Sequence, residues 1–289
     1  MSNTIELAKS FVPKLDECYR LASLTSVLDG APELAKQGAN ANELIIPMMS
    51  MDGLADYSRN GGYVQGGVTM TNETVKCNFG RGRRFDVDVM DDLETAGLAF
   101  GRLSAQFIRD KVVPELDAFR FASYCGISGV TKKEETLADG AATVAALSAA
   151  VTAMDDEEVT ATGRYLFITP TLLQGINDMD TTKSKKVLEG FERVIKVPQR
   201  RFYTAIKQLS GKTGEEAGGY TKAAGAANIN FSIIQKDALI QYTKHAAPKI
   251  IAPENNPDAD AYVFGYRMVG IAKAYKNMLS GMYFSHDQA

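Results

Sequence analysis

The sequence predicts an α+β fold with a long projecting β-hairpin, on three observations. Residues 75–89 alternate strictly. Val75, Cys77, Phe79, Arg81, Arg83, Phe85, Val87 and Val89 share one face, and Lys76, Asn78, Gly80, Gly82, Arg84, Asp86 and Asp88 the other, which is the period of a strand. A glycine-rich stretch, "SRNGGYVQGG" at 58–67, separates this run from another β-compatible one, "ANELIIPMMSMDGLADY". Directly afterwards the apolar residues Leu93, Ala96, Phe100, Leu103, Phe107 and Ile108 step at helical spacing, giving a helix with one apolar face.

In chain order, residues 1–42 form an N-terminal arm. Its helical middle, with Leu15, Cys18, Tyr19, Leu21, Ala22 and Leu24, keeps too weak a stripe to stand without packing on something else. Residues 43–91 form the hairpin. At about 3.3 Å per residue the 75–89 run alone would reach about 50 Å, well beyond the usual strand. Pro47 restricts the first arm to an edge or a bulge. A lone two-stranded hairpin is marginal in water and its free edges invite pairing. Either the rest of the chain or a neighbouring copy must cover it.

Residues 92–130 hold a spine helix. Asp91 and Glu94 fit a capping box, Pro114 kinks or divides the helix, and Gly126 stops it. Residues 131–240 read as mixed α/β. They contain an alanine-rich helix in "LADGAATVAALSAAVTAMDDEEV", a buried strand "RYLFITP", a strand interrupted at Pro198, a glycine-rich mobile loop "LSGKTGEEAGGYTKAAGAA" and a strand "INFSIIQ". Residues 241–289 return to extended structure: "KIIAP", then "AYVFGYRMVGIAKAY", a turn at "KNMLSG", and "MYFS" pairing back on the strand before it.

Composition narrows the function. The 289 residues carry 32 basic and 35 acidic side chains, a net charge of −3, which does not coat nucleic acid through bulk electrostatics. No apolar run approaches the ~18 residues of a membrane span, and the opening residues lack the apolar core of a signal peptide. Three scattered cysteines, Cys18, Cys77 and Cys125, suit free buried or half-buried thiols better than a metal site or disulfide framework. "SGKTG" at 210–214 lacks the upstream glycine of a phosphate-binding loop, because Ile206 stands there. Of the two histidines, His286 sits where termini are poorly ordered, and His245 has no catalytic motif around it. "MDDEE" at 154–158 reads as a solvated helix end. No catalytic residue, cofactor site or metal site is expected, and no enzyme activity.

The segment order, with the wording "IPMMSMDGLADYSRNGGYV", "TVKCNFGRGRRFDVDVMDD", "AGLAFGRLSAQFIRDKVVPELDAFRFA", "RYLFITP", "VPQRRFYT" and "GYRMVGIAKAYKNMLSGMYF", resembles the major capsid proteins of tailed bacteriophages with the Hong Kong 97 fold. The likeness covers essentially the whole chain and is most specific over 44–122. It implies an N-terminal arm (1–42), an extended loop (43–91), a peripheral domain built from the spine helix (92–130) and the terminal strands (241–289), and an axial domain (131–240). It also implies a structural protein of the virion, assembled in the host cytoplasm as pentamers and hexamers into an icosahedral shell around double-stranded DNA. That DNA would meet the inner face without sequence-specific binding. A portal would be a further partner, and a membrane would not. Because the arm begins almost at once, a separate scaffolding protein is expected. Because the tip has no lysine, covalent cross-linking through it is not.

Two alternatives remain: an encapsulin-type nanocompartment shell, and a cytoplasmic enzyme using His245 or the 154–158 acids. Within the shell reading, Arg59 and Tyr63 at the tip and Arg81, Arg83 and Arg84 on the returning strand are the expected inter-subunit contacts. Arginine on the face of Phe79 and Phe85 suggests acidic partners, placed here on a neighbour's spine helix.

Overall fold

The computed structural model describes residues 23–30, 36–37, 43–59, 61–90 and 105–288. The helix foreseen within the first 22 residues, the Asp91–Glu94 capping box and the helical face at 93–103 lie outside them.

The chain forms strands β1 (Lys36–Gln37), β2 (Glu43–Met51), β3 (Val68–Lys76) and β4 (Phe79–Asp88). A π-turn, Ile108–Val112, then leads into helix α1 (Val113–Gly126). Next come β5 (Thr131–Glu134), α2 (Gly140–Asp156), β6 (Arg164–Ile168), α3 (Pro170–Asp178), α4 (Thr182–Glu189) and β7 (Arg193–Lys196). The short strands β8 (Ile206–Gln208) and β9 (Tyr220–Lys222) precede β10 (Ile229–Gln235), β11 (Leu239–Ile251), β12 (Ala261–Ala274) and β13 (Met282–His286).

A five-stranded sheet of order β5-β13-β10-β6-β7 forms one layer. Its strands alternate as a two-sided sheet must. Leu166, Ile168, Phe231 and Ile233 face α2 and α3, while Tyr165, Phe167 and Ile234 face α1. Asp139 caps α2 by accepting from the Ala142 N–H at 2.7 Å. Gly140 lets α3 approach: a Cβ there would stand 2.2 Å from the Gly175 carbonyl oxygen. A three-stranded antiparallel sheet, β11-β12-β4, covers the start of α1, with Phe79, Phe264, Tyr266 and Met268 packed on Ile108, Val113 and Leu116. Helix α1 therefore lies between two sheets and is buried nearly all round. Pro114 has no N–H for a helical bond, and the π-turn directly precedes it. The helix ends at Gly126.

Two pairings differ from expectation. The run 75–89 is not one strand: β3 pairs with β2 to make the hairpin, whereas β4 leaves it and pairs with β12. The alternation continues in phase because Asn78, at the break, carries the ladder on with its side chain. Its amide N–H donates to the Ala272 carbonyl and its amide oxygen accepts from the Ala272 N–H, both at 2.9 Å. The C-terminal strand β13 does not pair back on β12. It lies between β10 and β5 in the five-stranded sheet, where Met282, Tyr283 and Phe284 are buried. His286, expected at a poorly ordered end, is held there, opposite Ile229 and Glu134. Pro47 sits on β2 beyond the two residues that β1 covers, as its missing donor requires.

Candidate assembly surface

Ten large hydrophobic side chains are exposed among the described residues, and eight of them belong to the hairpin: Met49, Met51, Leu54, Tyr57, Tyr63, Val64, Val68 and Met70. Register sorts the strand members. Met49 lies opposite Met70 and Met51 opposite Val68, so the four share one face, since directly paired residues point the same way. The next pair, on the other face, is Ser50–Thr69. That second face is also the one carrying Val75, which at the hairpin base packs with Ile240 and Ile271. The methionine–valine face is thus turned away from the side by which the hairpin is anchored.

The tip is more ordered than its glycines suggest. Asp52 and Gly67 close it: the Asp52 N–H donates to the Gly67 carbonyl at 3.1 Å, and the Gly67 N–H to Asp52 Oδ2 at 2.7 Å. A smaller turn nests inside, bridged between Ser58 and Gly62, with the rings of Tyr57 and Tyr63 4.9 Å apart. Arg59 lies exposed in that turn, and Tyr63 is 90% exposed beside it.

The strand arginines lie in a different sheet and do different work. Arg81 Nε meets Glu115 Oε1 at 2.7 Å, and Arg81 Nη2 donates to the carbonyls of Leu209 (2.7 Å) and Gly219 (3.2 Å). Arg83 donates to the carbonyls of Glu216 (2.8 Å) and Ala217 (3.3 Å). The acid facing Arg81 is therefore on the chain's own helix, which corrects the expectation of a neighbour's. The polar surface opposite the phenylalanine face is the 209–219 loop, whose carbonyls at Leu209, Glu216, Ala217 and Gly219 accept from the two guanidinium groups. Gly218 fits under Arg83 because its φ is +63° and a Cβ would stand 2.7 Å from Nη1. Arg84, on the opposite face, pairs with Asp86 at 2.9 Å, which holds its pKa above the ordinary arginine value.

The 209–219 loop was expected to be mobile. Instead it is tied down: the Leu209 N–H donates to the Gly219 carbonyl at 2.8 Å, and Glu215 accepts from Lys207 Nζ and the Ser210 N–H, each at 2.7 Å. Those donors, Lys207 first, hold the Glu215 carboxyl down at about 2. A carboxylate thus occupies the turn in which "SGKTG" suggested a phosphate.

A buried polar hub on α1 ties the rest together, and sequence reasoning missed it. Asp117, fully buried, accepts from Ser23 Oγ (2.9 Å), Thr25 Oγ1 (2.7 Å) and the N–H groups of Leu24 and Thr25. Arg120, 2% exposed, donates to Thr25 Oγ1 and Asp29 Oδ1, and Gln241 donates to the Thr25 carbonyl at 2.6 Å. The available signal was three charges in an otherwise apolar helix, "VPELDAFRFASYCG", since charges so placed must be paired.

Of the other residues considered, Cys77 is half-buried and Cys125 buried and unpaired; burial pushes the Cys125 thiol up to about 11. Asp155 pairs with Arg164 at the end of α2. His245 lies at a bulge in β11. Among the described residues no group of three or more His, Cys, Asp or Glu is arranged to hold a metal, and no helix is long and apolar enough to cross a membrane.

No family model and no curated protein matches the chain. Solved structures of shell-forming proteins do share its architecture. A Gordonia phage Cozz structure aligns with a TM-score of 0.60 at 10% identity, over 93% of this chain and 87% of its own. A virus-like particle from Pyrococcus furiosus gives 0.59 at 10% identity, over 94% and 95%. The capsid of the cyanophage P-SCSP1u gives 0.55 at 11% identity, over 87% and 85%. The chain has the fold of these subunits, the Hong Kong 97-type capsid fold.

Proposed function

We propose that the chain is the major capsid protein of a tailed bacteriophage, a structural subunit and not an enzyme. It assembles with itself as pentamers and hexamers into an icosahedral shell enclosing double-stranded DNA. The observation that carries this is the hairpin: among the described residues, eight exposed large hydrophobics on one element. Exposed apolar surface concentrated in this way marks an interaction site, and head-to-tail contacts of a projecting element close into rings.

In this reading residues 43–76 are the extended loop. Arg59 and Tyr63 contact a neighbouring subunit, and Arg84 lies at the interface rim. Arg81 and Arg83 shape the surface indirectly, by holding the 209–219 loop. Helix α1 with β4, β11 and β12 makes the peripheral domain, and the five-stranded sheet the axial domain. A separate scaffolding protein and a portal complete the assembly in the host cytoplasm.

The test is negative-stain imaging of the chain expressed alone and with the scaffolding protein encoded beside it. Closed particles are expected, and a stable 31.3 kDa monomer under both conditions overturns the reading. An encapsulin-type compartment is the second reading, favoured by the near end-to-end likeness to the Pyrococcus particle. Nuclease-treated particles separate the two: retained DNA supports the capsid, and a retained enzyme cargo the compartment.

A further inference from the structure

We propose that residues 23–25 form a releasable clasp on α1, and that Arg201 is the reserve partner that takes Asp117 when the clasp opens. The device belongs to the single chain and does not depend on the shell reading.

Asp117 is fully buried, and its two oxygens are shared unequally. Oδ1 accepts three bonds, from Ser23 Oγ at 2.9 Å, Thr25 Oγ1 at 2.7 Å and the Thr25 N–H at 3.3 Å. Oδ2 accepts from the Leu24 N–H at 3.1 Å and from Arg201 Nη1 at 3.4 Å. A bond between a cationic N–H and a carboxylate normally measures about 2.7–2.9 Å. Among the described residues, the one cation bonded to this carboxylate is therefore held off it. Arg201 has no better partner there: its side chain is 15% exposed, and its Nε is buried with no hydrogen-bond partner among the described residues. An unpaired buried donor is costly, and a planar fork suited to two carboxylate oxygens is making one long contact.

All the donors that crowd Arg201 come from one short segment. Withdrawing them from a carboxylate with no other partner would strand a buried charge. Here their withdrawal frees Oδ1, and the guanidinium closes on both oxygens. Asp117 thus has two satisfied arrangements, and the second lowers the cost of leaving the first. Opening also releases Thr25 from Arg120 and Gln241, so the closed form predominates. Leu28, 1% exposed in the core, and the Gly30 N–H on the Gln241 carbonyl at 3.1 Å hold the far end of the segment, which confines opening to 23–25. Arg201 ends a 3₁₀ turn, Gln199–Arg201, and the adjacent Arg200 carbonyl accepts from the Tyr220 hydroxyl at 2.9 Å. A shift of Arg201 onto Asp117 therefore pulls on the root of β8 and β9, linking the 23–25 clasp to the 209–219 loop.

Hydrogen exchange at the Leu24 and Thr25 amides of the full-length chain tests the device. Arg201→Met keeps the stem and removes the reserve partner. The closed form loses one long contact, whereas the open form loses its ion pair. Exchange at both amides should slow by at least about tenfold, the effect of taking a hydrogen bond to a charged group from the open form alone. Arg201→Lys keeps the charge without the fork and should slow exchange less; it gives the same comparison if circular dichroism shows the methionine variant unfolded. An ion pair that only braces the closed form predicts the reverse, so faster or unchanged exchange overturns the proposal. A double-mutant cycle gives the second readout. In the wild-type chain Arg201→Met should move the thermal midpoint by no more than about 1–2 °C, and in a chain carrying Ser23→Ala and Thr25→Ala it should lower it by at least about 4 °C. Equal shifts in the two backgrounds also overturn the proposal.

Discussion

All seven residues of β10 are buried, whereas in β3, a strand of similar length, Val68 and Met70 face solvent and Val75 alone of the described side chains is buried. Both strands carry large apolar side chains on at least one face. The difference lies in what surrounds them: β10 has a strand on each side and a cluster of side chains on each face, while β3, among the described residues, has β2 on one side and a packed side chain only at its base. A sheet face left apolar beside a well-filled core is not a packing failure. It is a face whose core is completed elsewhere, and substitutions should affect the two regions through different measurements.

The largest effect is expected on the hairpin face. Met49→Thr, Met51→Thr and Met70→Thr together remove three apolar side chains, each contributing about 1.5–3 kcal/mol when fully buried. Particle formation should be lost. The thermal midpoint of the unassembled chain should stay within a degree or two, because exposed substitutions rarely exceed about 0.5 kcal/mol each. A large fall in that midpoint would show the face to be buried within the chain's own fold.

Asp117→Ala should do the reverse. It strands the donors of Ser23, Leu24 and Thr25 inside the protein, and breaking one partner out of a buried charged network costs about 3–5 kcal/mol. Thermal unfolding should register this directly, with protease cleavage near residues 23–30 appearing first. A midpoint unchanged from wild type would mean the hub does not hold the segment.

Next in size is Arg81. Hydrogen bonds to charged groups contribute about 1.5–3 kcal/mol each, so Arg81→Ala should loosen the 209–219 loop and lower stability by about that amount. Arg81→Lys should recover part, since an ammonium keeps the charge but cannot reach Glu115 and the Leu209 carbonyl as a planar fork does. Amide exchange at Leu209 and Gly219 measures the loop locally. Full recovery by lysine would mean that charge alone suffices.

What the sequence made legible follows from range. The stop at Gly126 and the alternation through 75–89 are local, and the structure agrees with both. Which sheet a strand joins is not local. Val75 and Phe79 obey one parity although one belongs to the hairpin and the other to the β12 ladder, because Asn78 bridges the break without shifting phase. Nothing in "MYFS" distinguishes pairing with β12 from insertion beside β10; a turn of suitable length allowed the first, and burial of Met282 and Phe284 on one side of the sheet and Tyr283 on the other decided the second. The arginines were recognised as needing oxygen partners, but the partner's chain was not written in the alternation. The methionine face was visible as composition; only the register of β2 on β3 placed Met49, Met51, Val68 and Met70 together.

The smallest effect is a pH dependence confined to the 209–219 loop. Glu215 is held at about 2 in the folded chain, against an ordinary value of 4.5, chiefly by the Lys207 ammonium and then by the Ser210 N–H. A carboxylate whose folded pKa is depressed contributes stability that is complete above its unfolded pKa and lost as pH falls through the folded one. The loop should therefore keep its closure at pH 5, loosen progressively below about 4.5, and lose the contribution near pH 2, within the range over which model carboxylates titrate. Because Glu215 lies at the surface, half-buried in a loop and screened by solvent, global stability should barely register the change. The sensitive measurement is exchange at the Ser210 amide, corrected for intrinsic rates, at several pH values between 5 and 2.5. Glu215→Gln should flatten that profile while the amides of β10, which pair with backbone carbonyls in the sheet, keep theirs. An identical profile in wild type and variant would mean that the arginine clamp alone closes the loop.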